Sequence, residues 1–324
     1  MGNKYDPEIS RISMNIGVIG IGTMGKRHVR IYSELKGVDR VYVYDIDYKK
    51  AESLEEDVYV SYNLYTLFTH ADAVSICVPT KHHFAVAKEA IEYGVHCLIE
   101  KPVTATPDEA EHLLRIIERK DLVVGVGHIE RFNPIVHEIK KLIKNPLLIG
   151  IARHNPASAR IKDTNIIEDL MIHDIDILFN VLARNEKYRV YSSGSSDFCV
   201  ALFDFASFTA WLSASRKAKK KIRKIYIEEE ELTIEGDFMN QEIYVHRQPS
   251  KNAFEDERYV HESVIEKVLV NKKEPLREEL KTFVECVRAG KEFPVTLEEG
   301  IKNLRKCEEV RNASINQNLK GCGV

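Results

Sequence analysis

Three groups of residues in this chain have types and spacings suited to chemistry. Asp169-Leu-Met-Ile-His173-Asp174-Ile-Asp176 sets a carboxylate four residues ahead of an imidazole, and on a helix that spacing stacks the two on one face. Such a carboxylate raises the basicity of the imidazole and selects its tautomer, as a general base near neutral pH requires. Glu100-Lys101-Pro102 follows the apolar run Val95-His-Cys-Leu-Ile99 and reads as a lysine at a strand end, where an open α/β sheet lines its ligand crevice. Asn15-Ile-Gly-Val-Ile-Gly20-Ile-Gly22-Thr23-Met24-Gly25 carries a strand into Gly-x-Gly-x-x-Gly at the start of a helix. Gly20 permits the turn, Gly22 admits a pyrophosphate to the backbone, and Gly25 lets helix and strand pack closely. The amides at the helix start, Thr23 and Met24, then face the phosphates. A second strand, Arg40-Val-Tyr-Val-Tyr-Asp45, ends in a carboxylate able to accept both ribose hydroxyls of an adenosine. Ile46 and Asp47 follow it with no arginine, so the cofactor expected is NAD rather than NADP.

The elements that must hold these groups show in the hydrophobic pattern. Between Asn15 and about Gly127, short apolar strands (Ala73–Val78, Val95–Ile99, Leu122–Gly127) alternate with helices, one over Phe84–Tyr93 and one capped by Thr106 with Pro107 in its first turn. That rhythm predicts parallel βαβ units in a doubly wound Rossmann sheet. After about residue 134 it changes. A helical period over Glu168–Leu182 precedes strand-like runs at Phe198–Phe205, Ser207–Ser215, Ile222–Glu228, Leu232–Glu235 and Glu242–Val245, then helices at Leu276–Ala289 and Leu297–Gln317. Gln248–Glu262 reads as a loop. The expected fold class is α/β, with an α+β domain whose open sheet is mostly antiparallel. The expected division is a disordered extension over 1–14, a dinucleotide-binding domain over 15–133, and a substrate and oligomerisation domain over 134–324.

Composition narrows the function classes. A chain of 324 residues fits two domains at roughly 150 each. A net charge of −3 gives no general attraction to nucleic acid or anionic membrane. Six cysteines without a CxxC pair read as a reduced set, so neither a disulfide framework nor a metal site is expected. No apolar run approaches the roughly 20 residues of a membrane span, and Met1–Pro7 lacks the apolar core of a signal peptide, which points to the cytoplasm. The basic run Arg216–Lys224, with Glu228–Glu231 after it, reads as a solvated hairpin with cross-strand charge pairs rather than a nucleic-acid site. A contribution of that run to an anionic substrate stays open.

Taken together, the glycine fingerprint, Val78-Pro79-Thr80-Lys-His-His83, Glu100-Lys-Pro102 and the Asp169/His173 segment resemble the glucose–fructose oxidoreductase / inositol dehydrogenase (Gfo/Idh/MocA) family, over about Asn15 to Asn316. The resemblance implies a Rossmann domain followed by an α/β domain whose open sheet forms a homo-oligomer interface, in a dimer or tetramer. It implies Lys101, Asp169 and His173 as catalytic residues, with Pro79, Thr80, His83, Glu100 and Lys101 lining the cofactor. Gly127-His128-Ile-Glu130-Arg131-Phe132-Asn133-Pro134 and the run Arg153 … Pro156 … Arg160 … Asp163 are similar to a signature of the branch that oxidises the 3-hydroxyl of UDP-N-acetylglucosamine-type nucleotide sugars. Asn165 stands where relatives often place glycine, and asparagine tolerates a left-handed backbone better than most residues. What this implies is an NAD-dependent dehydrogenase that makes a 3-keto sugar. Arg131 and Arg160 would meet the diphosphate or uridine, and Asn133 and His173 the substrate. A pyridoxal-phosphate aminotransferase would be the pathway partner. Lys101 and His173 both remain candidates for the base. Two other readings keep the fold: an inositol or free-sugar dehydrogenase, and a non-catalytic NAD-binding regulator, for which a lysine, aspartate and histidine in these places would have no use.

Overall fold

The computed structural model describes residues 13–156, 165–183, 187–247, 253–255, 258–260 and 264–313. Arg160, Asp163 and most of the expected N-terminal extension lie outside them. The chain forms two compact units: one runs to Phe132 and takes in Glu274–Leu304, and the other is Asn133–Lys273 with the chain from Arg305.

The first unit alternates β1 (Met14–Ile19), α1 (Thr23–Glu34), β2 (Val38–Tyr44), α2 (Tyr48–Glu52), β3 (Tyr59–Val60), α3 (Leu64–His70), β4 (Ala73–Ile76), α4 (His83–Glu92), β5 (His96–Glu100), α5 (Pro107–Ile117) and β6 (Val124–Gly127). The six strands pair in parallel in the order β3-β2-β1-β4-β5-β6. Ile16, Val18, Val74, Ile76, Leu98 and Ile99 are all buried, as a parallel sheet covered on both faces demands. The order reverses between β1 and β4, which opens a crevice at the carboxyl ends of those strands. Thr106 accepts the Glu109 amide at 3.4 Å while Glu109 returns a carboxylate oxygen to the Thr106 amide, so a capping box fixes where α5 begins. The two-residue edge strand β3 and the short α2 and α3 lack a long apolar period and were not foreseen.

The second unit contains α6 (Pro134–Leu142), β7 (Leu148–His154), a helical stretch, and β8 (Tyr188–Gly194), β9 (Phe198–Phe205), β10 (Thr209–Ser215), β11 (Ile222–Glu228), β12 (Leu232–Asp237), β13 (Glu242–Arg247), β14 (Ala253–Glu255), β15 (Arg258–Val260) and β16 (Val264–Val268). Eight strands form one sheet in the order β16-β13-β12-β11-β7-β10-β9-β8. Only β7 and β10 run parallel in it. Strand β9 shows the period of two: Cys199, Ala201, Phe203 and Phe205 are buried, whereas Phe198, Val200 and Leu202 are 48%, 46% and 40% exposed. One sheet face therefore packs on the core and the other is open.

Three expectations change here. The helix over Glu168–Leu182 is not uniform: a π-helical turn, Ile167–Met171, precedes α7 (Ile172–Asp176), and a second π-helical turn covers Ile177–Leu182. Within the expected loop Gln248–Glu262, the described residues pair as β14 and β15. The basic run does not form a hairpin with the acidic one, because the two lie at opposite ends of the same strand, β11, whose Lys224 pairs with Asp237. Instead Lys217 meets Asp197 at 3.0 Å, and Glu229 in the β11–β12 turn accepts the amides of Lys144 and Asn145 at 2.6 and 2.9 Å.

The expected second domain of 134–324 is also interrupted. Helix α8 (Pro275–Ala289) and the start of α9 (Leu297–Asn312) belong with the first unit, where Leu276, Leu280, Phe283, Phe293 and Val295 join its core. A Cβ on Gly125 would come within 2.2 Å of the Phe293 ring, and the Val126 amide donates to the Val295 carbonyl at 3.0 Å. An apolar helix face says that a core is needed but not which one. Among the described residues no helix is long and apolar enough to cross a membrane, and no cluster of metal-ligating side chains occurs.

Candidate functional site

In the first unit the site is built at the carboxyl ends of β1, β2, β4 and β5. Gly20 has φ +92°, and a Cβ there would meet the Cys77 backbone at 2.8 Å; one on Gly25 would come within 1.9 Å of the Gly20 carbonyl oxygen. Packing therefore requires the first and third glycines. Gly22 differs: it is exposed, and nothing lies within 4 Å of where its Cβ would be. It immediately precedes Thr23, at the amino end of a twelve-residue helix whose free amides favour an anion. Asp45 accepts the Ile21 amide at 2.7 Å on one oxygen and the Asp47 amide at 2.8 Å on the other, with Lys50 at 3.6 Å. Each oxygen keeps a lone pair for a ribose hydroxyl. Open space at Gly22, the helix amides and a fixed carboxylate suit NAD.

After β4, Pro79 is exposed and Thr80 opens a single 3-10 turn, Thr80–His82. After β5 comes Lys101, half-buried. Its neighbours make contacts within the protein. Glu100 is buried, with one carboxylate oxygen 3.1 Å from His28 Nε2 and the other accepting the Lys101 amide at 3.2 Å. Burial alone would raise the Glu100 carboxyl, but the His28 hydrogen bond and the charges of His28, Lys101 and His83 hold it below its ordinary value. His83 is buried too, with Nδ1 2.8 Å from the Pro102 carbonyl oxygen and Nε2 2.8 Å from that of Val78. Carbonyls only accept, so both bonds form together only on the doubly protonated ring. Burial pushes the imidazole down toward its neutral form, which keeps one of them. The Cys77 thiol is pushed well up, first by burial and then by Glu100 and Glu279.

In the second unit Asp169 and His173 are half-buried on the Ile167–Leu182 stretch, with the junction from π to α winding between them. π-helical turns are frequent at functional sites. The Asp169 carboxylate accepts from Arg216 through Nε at 3.2 Å and Nη2 at 3.0 Å. Asp174 and Asp176 turn inward: Asp174 takes Arg153 at 2.9 and 2.7 Å, and Asp176 accepts from Asn180 at 3.0 Å. Arg153 and Asp174 are almost fully buried, a pair that fixes the helix to β7. Arg216 as partner of Asp169 escaped the sequence reading, which took it for one charge of a basic run.

Other expected site residues have structural contacts. Arg131 is buried with Nη2 3.1 Å from Glu299. Asn133 is the N-cap of α6, accepts from the Ile135 amide and donates to the Phe238 carbonyl at 3.0 Å. His128 is buried with Nε2 3.2 Å from the Asn303 amide nitrogen. Motif similarity marked these positions, but whether a side chain faces out or in depends on its tertiary neighbours. Arg160 falls outside the described residues.

Residues 14–128 match the model of the oxidoreductase family with an NAD-binding Rossmann fold (GFO_IDH_MocA). The UDP-N-acetylglucosamine 3-dehydrogenase of Acidithiobacillus ferrooxidans is 32% identical over 247 residues, 72% of this chain and 77% of that one. A solved structure of that enzyme superposes with a TM-score of 0.83 at 28% identity, covering 94% of this chain and 98% of its own. An inositol 2-dehydrogenase of Corynebacterium glutamicum is 30% identical over 183 residues, 51% of this chain and 53% of its own. The chain belongs to the Gfo/Idh/MocA oxidoreductase family. It is an NAD-dependent oxidoreductase acting on a CH–OH group.

Proposed function

We propose that this enzyme oxidises the 3-hydroxyl of a UDP-N-acetylglucosamine-type nucleotide sugar to the 3-keto sugar. What carries the reading is the breadth of the similarity to the Acidithiobacillus 3-dehydrogenase, which spans 72% of this chain where the inositol dehydrogenase match spans 51%. The two matches are close in identity, 32% and 30%, so their breadth is what separates them. Bound NAD supplies the hydride acceptor. His173 accepts the proton of the sugar hydroxyl, and Asp169, its own charge held in place by Arg216, stabilises the imidazolium. Lys101 stabilises alkoxide character on the reacting oxygen and is the alternative base. A 3-keto sugar is reactive, so an aminotransferase using pyridoxal phosphate is the partner reaction. The open sheet face of the second unit supports a homo-oligomer. The five described cysteines are all free thiols, in keeping with a cytoplasmic enzyme.

The test is nicotinamide reduction, followed by absorbance, with UDP-N-acetylglucosamine, its uronic acid, inositol and free hexoses supplied separately. Activity confined to inositol or hexoses would replace the nucleotide-sugar reading. Lys101→Ala and His173→Ala should each lower kcat by roughly 10²- to 10⁴-fold. Near-normal turnover in both would refute the catalytic assignment.

A further inference from the structure

Lys101 stands between two residues that buried histidines hold. On one side is Glu100, which grips the Lys101 amide with one oxygen and His28 with the other. On the other is Pro102, whose carbonyl oxygen accepts from His83 Nδ1 in the neutral tautomer that carries its proton there. His28 is 0% exposed and His83 1%. His28 comes from α1, the helix opened by the cofactor glycines, and His83 from α4, which follows β4. The backbone on each side of Lys101 is thereby fastened to one of the two elements that flank the crevice. Apolar side chains would fill these volumes without the hydrogen-bond partners that a buried imidazole must have. Imidazoles here therefore need a reason beyond packing.

We propose that His28 and His83 are positioning residues that together aim Lys101, His28 through Glu100 and His83 through the Pro102 carbonyl. Both rings are buried within the protein: His83 lies between the Pro102 and Val78 carbonyls, and His28, on the inner face of α1, has its Nε2 on Glu100. The other ionisable groups acting on this frame are Cys77 at the end of β4, Tyr32 on α1, which bonds Ser75 at 2.8 Å, and Glu279 on α8. His112 on α5 lies tilted against Phe84, the neighbour of His83, with ring centroids 5.4 Å apart. This inference rests on the catalytic role given to Lys101 above. It adds that the role depends on a buried frame, because displacing a catalytic group by about 1 Å can cost roughly 100-fold in rate.

A double-mutant cycle tests it. His28→Leu and His83→Leu are made in the full-length enzyme with Lys101 present and with Lys101→Ala, and kcat and KM for NAD are measured on whichever sugar is turned over. With Lys101 present, each should lower kcat by about 10- to 100-fold and leave KM for NAD within about twofold. With alanine at 101 the same changes should lower kcat by less than about twofold. His28→Gln, which keeps a donor where Nε2 lies, should recover most of the rate. Equal losses in both backgrounds would overturn the proposal alone, whereas a Lys101→Ala enzyme as fast as the wild type would take the catalytic assignment down with it.

A second measurement needs no turnover. In the NAD-saturated protein with ¹³C-methylated lysines, assigned through Lys101→Arg, His28→Gln and His83→Gln should each move the Lys101 titration midpoint by at least about half a unit. An unmoved midpoint in both overturns the frame.

Discussion

Glu100 shows how the place of a residue and the partners of its side chain are fixed by different things. Its position in Glu-Lys-Pro suggested a cofactor ligand, yet its carboxylate is turned inward to His28 and to the next amide. Because its folded-state carboxyl is held low, it stabilises the protein at pH values above the ordinary glutamate range, and that contribution is lost as pH falls through the folded value. Glu100→Gln never has it. The gap in urea-unfolding stability between wild type and Glu100→Gln should therefore be widest near neutrality and close on acidification below about pH 4. A gap that stayed constant down to that range would mean the charge of Glu100 is not what stabilises. Asp169 teaches a related lesson. An i, i+4 partner could be inferred from helical spacing, but Arg216 lies 47 residues away, just past the end of β10, and only the fold brings it in.

Individual elements separate the demands of folding from those of binding. In the loop from β1 to α1, Gly25 is required by the Gly20 carbonyl 1.9 Å from its would-be Cβ, while Gly22 has open space. Gly25→Ala should lower the melting temperature and weaken NAD binding together, at a cost of about 1–3 kcal/mol for forcing the turn open. Gly22→Ala should melt like the wild type and still lose NAD affinity, by calorimetric titration about tenfold or more, because only a bound pyrophosphate needs that space. Equal melting losses in the two variants would contradict this division. Both glycines carry the same sequence signal. The structure tells them apart because one faces Gly20 and the other faces solvent.

Across the whole molecule, the uncovered sheet face bears on assembly. Phe198, Val200 and Leu202 stand out from β9 while their neighbours fill the core. If this face joins copies of the chain, Val200→Glu should lower the mass measured by light scattering without lowering the melting temperature of the second unit. An unchanged mass would place any interface elsewhere. What the sequence determined alone is everything set by local pattern: the parallel βαβ units, the glycine turn with Asp45, the cap at Thr106, the strand over Phe198–Phe205, and the family. These follow from backbone sterics, short-range hydrogen bonding and hydrophobic period, which neighbouring residues encode. The tertiary structure decided what depends on distant partners. It took Glu274–Leu304 back to the first unit, set β7 between β10 and β11, gave Arg216 to Asp169, and turned Arg131, Asn133, Glu100 and His83 inward. An amphipathic face or a lone charge carries no address of its own. Its partner is fixed only when all the elements compete for the same buried volume.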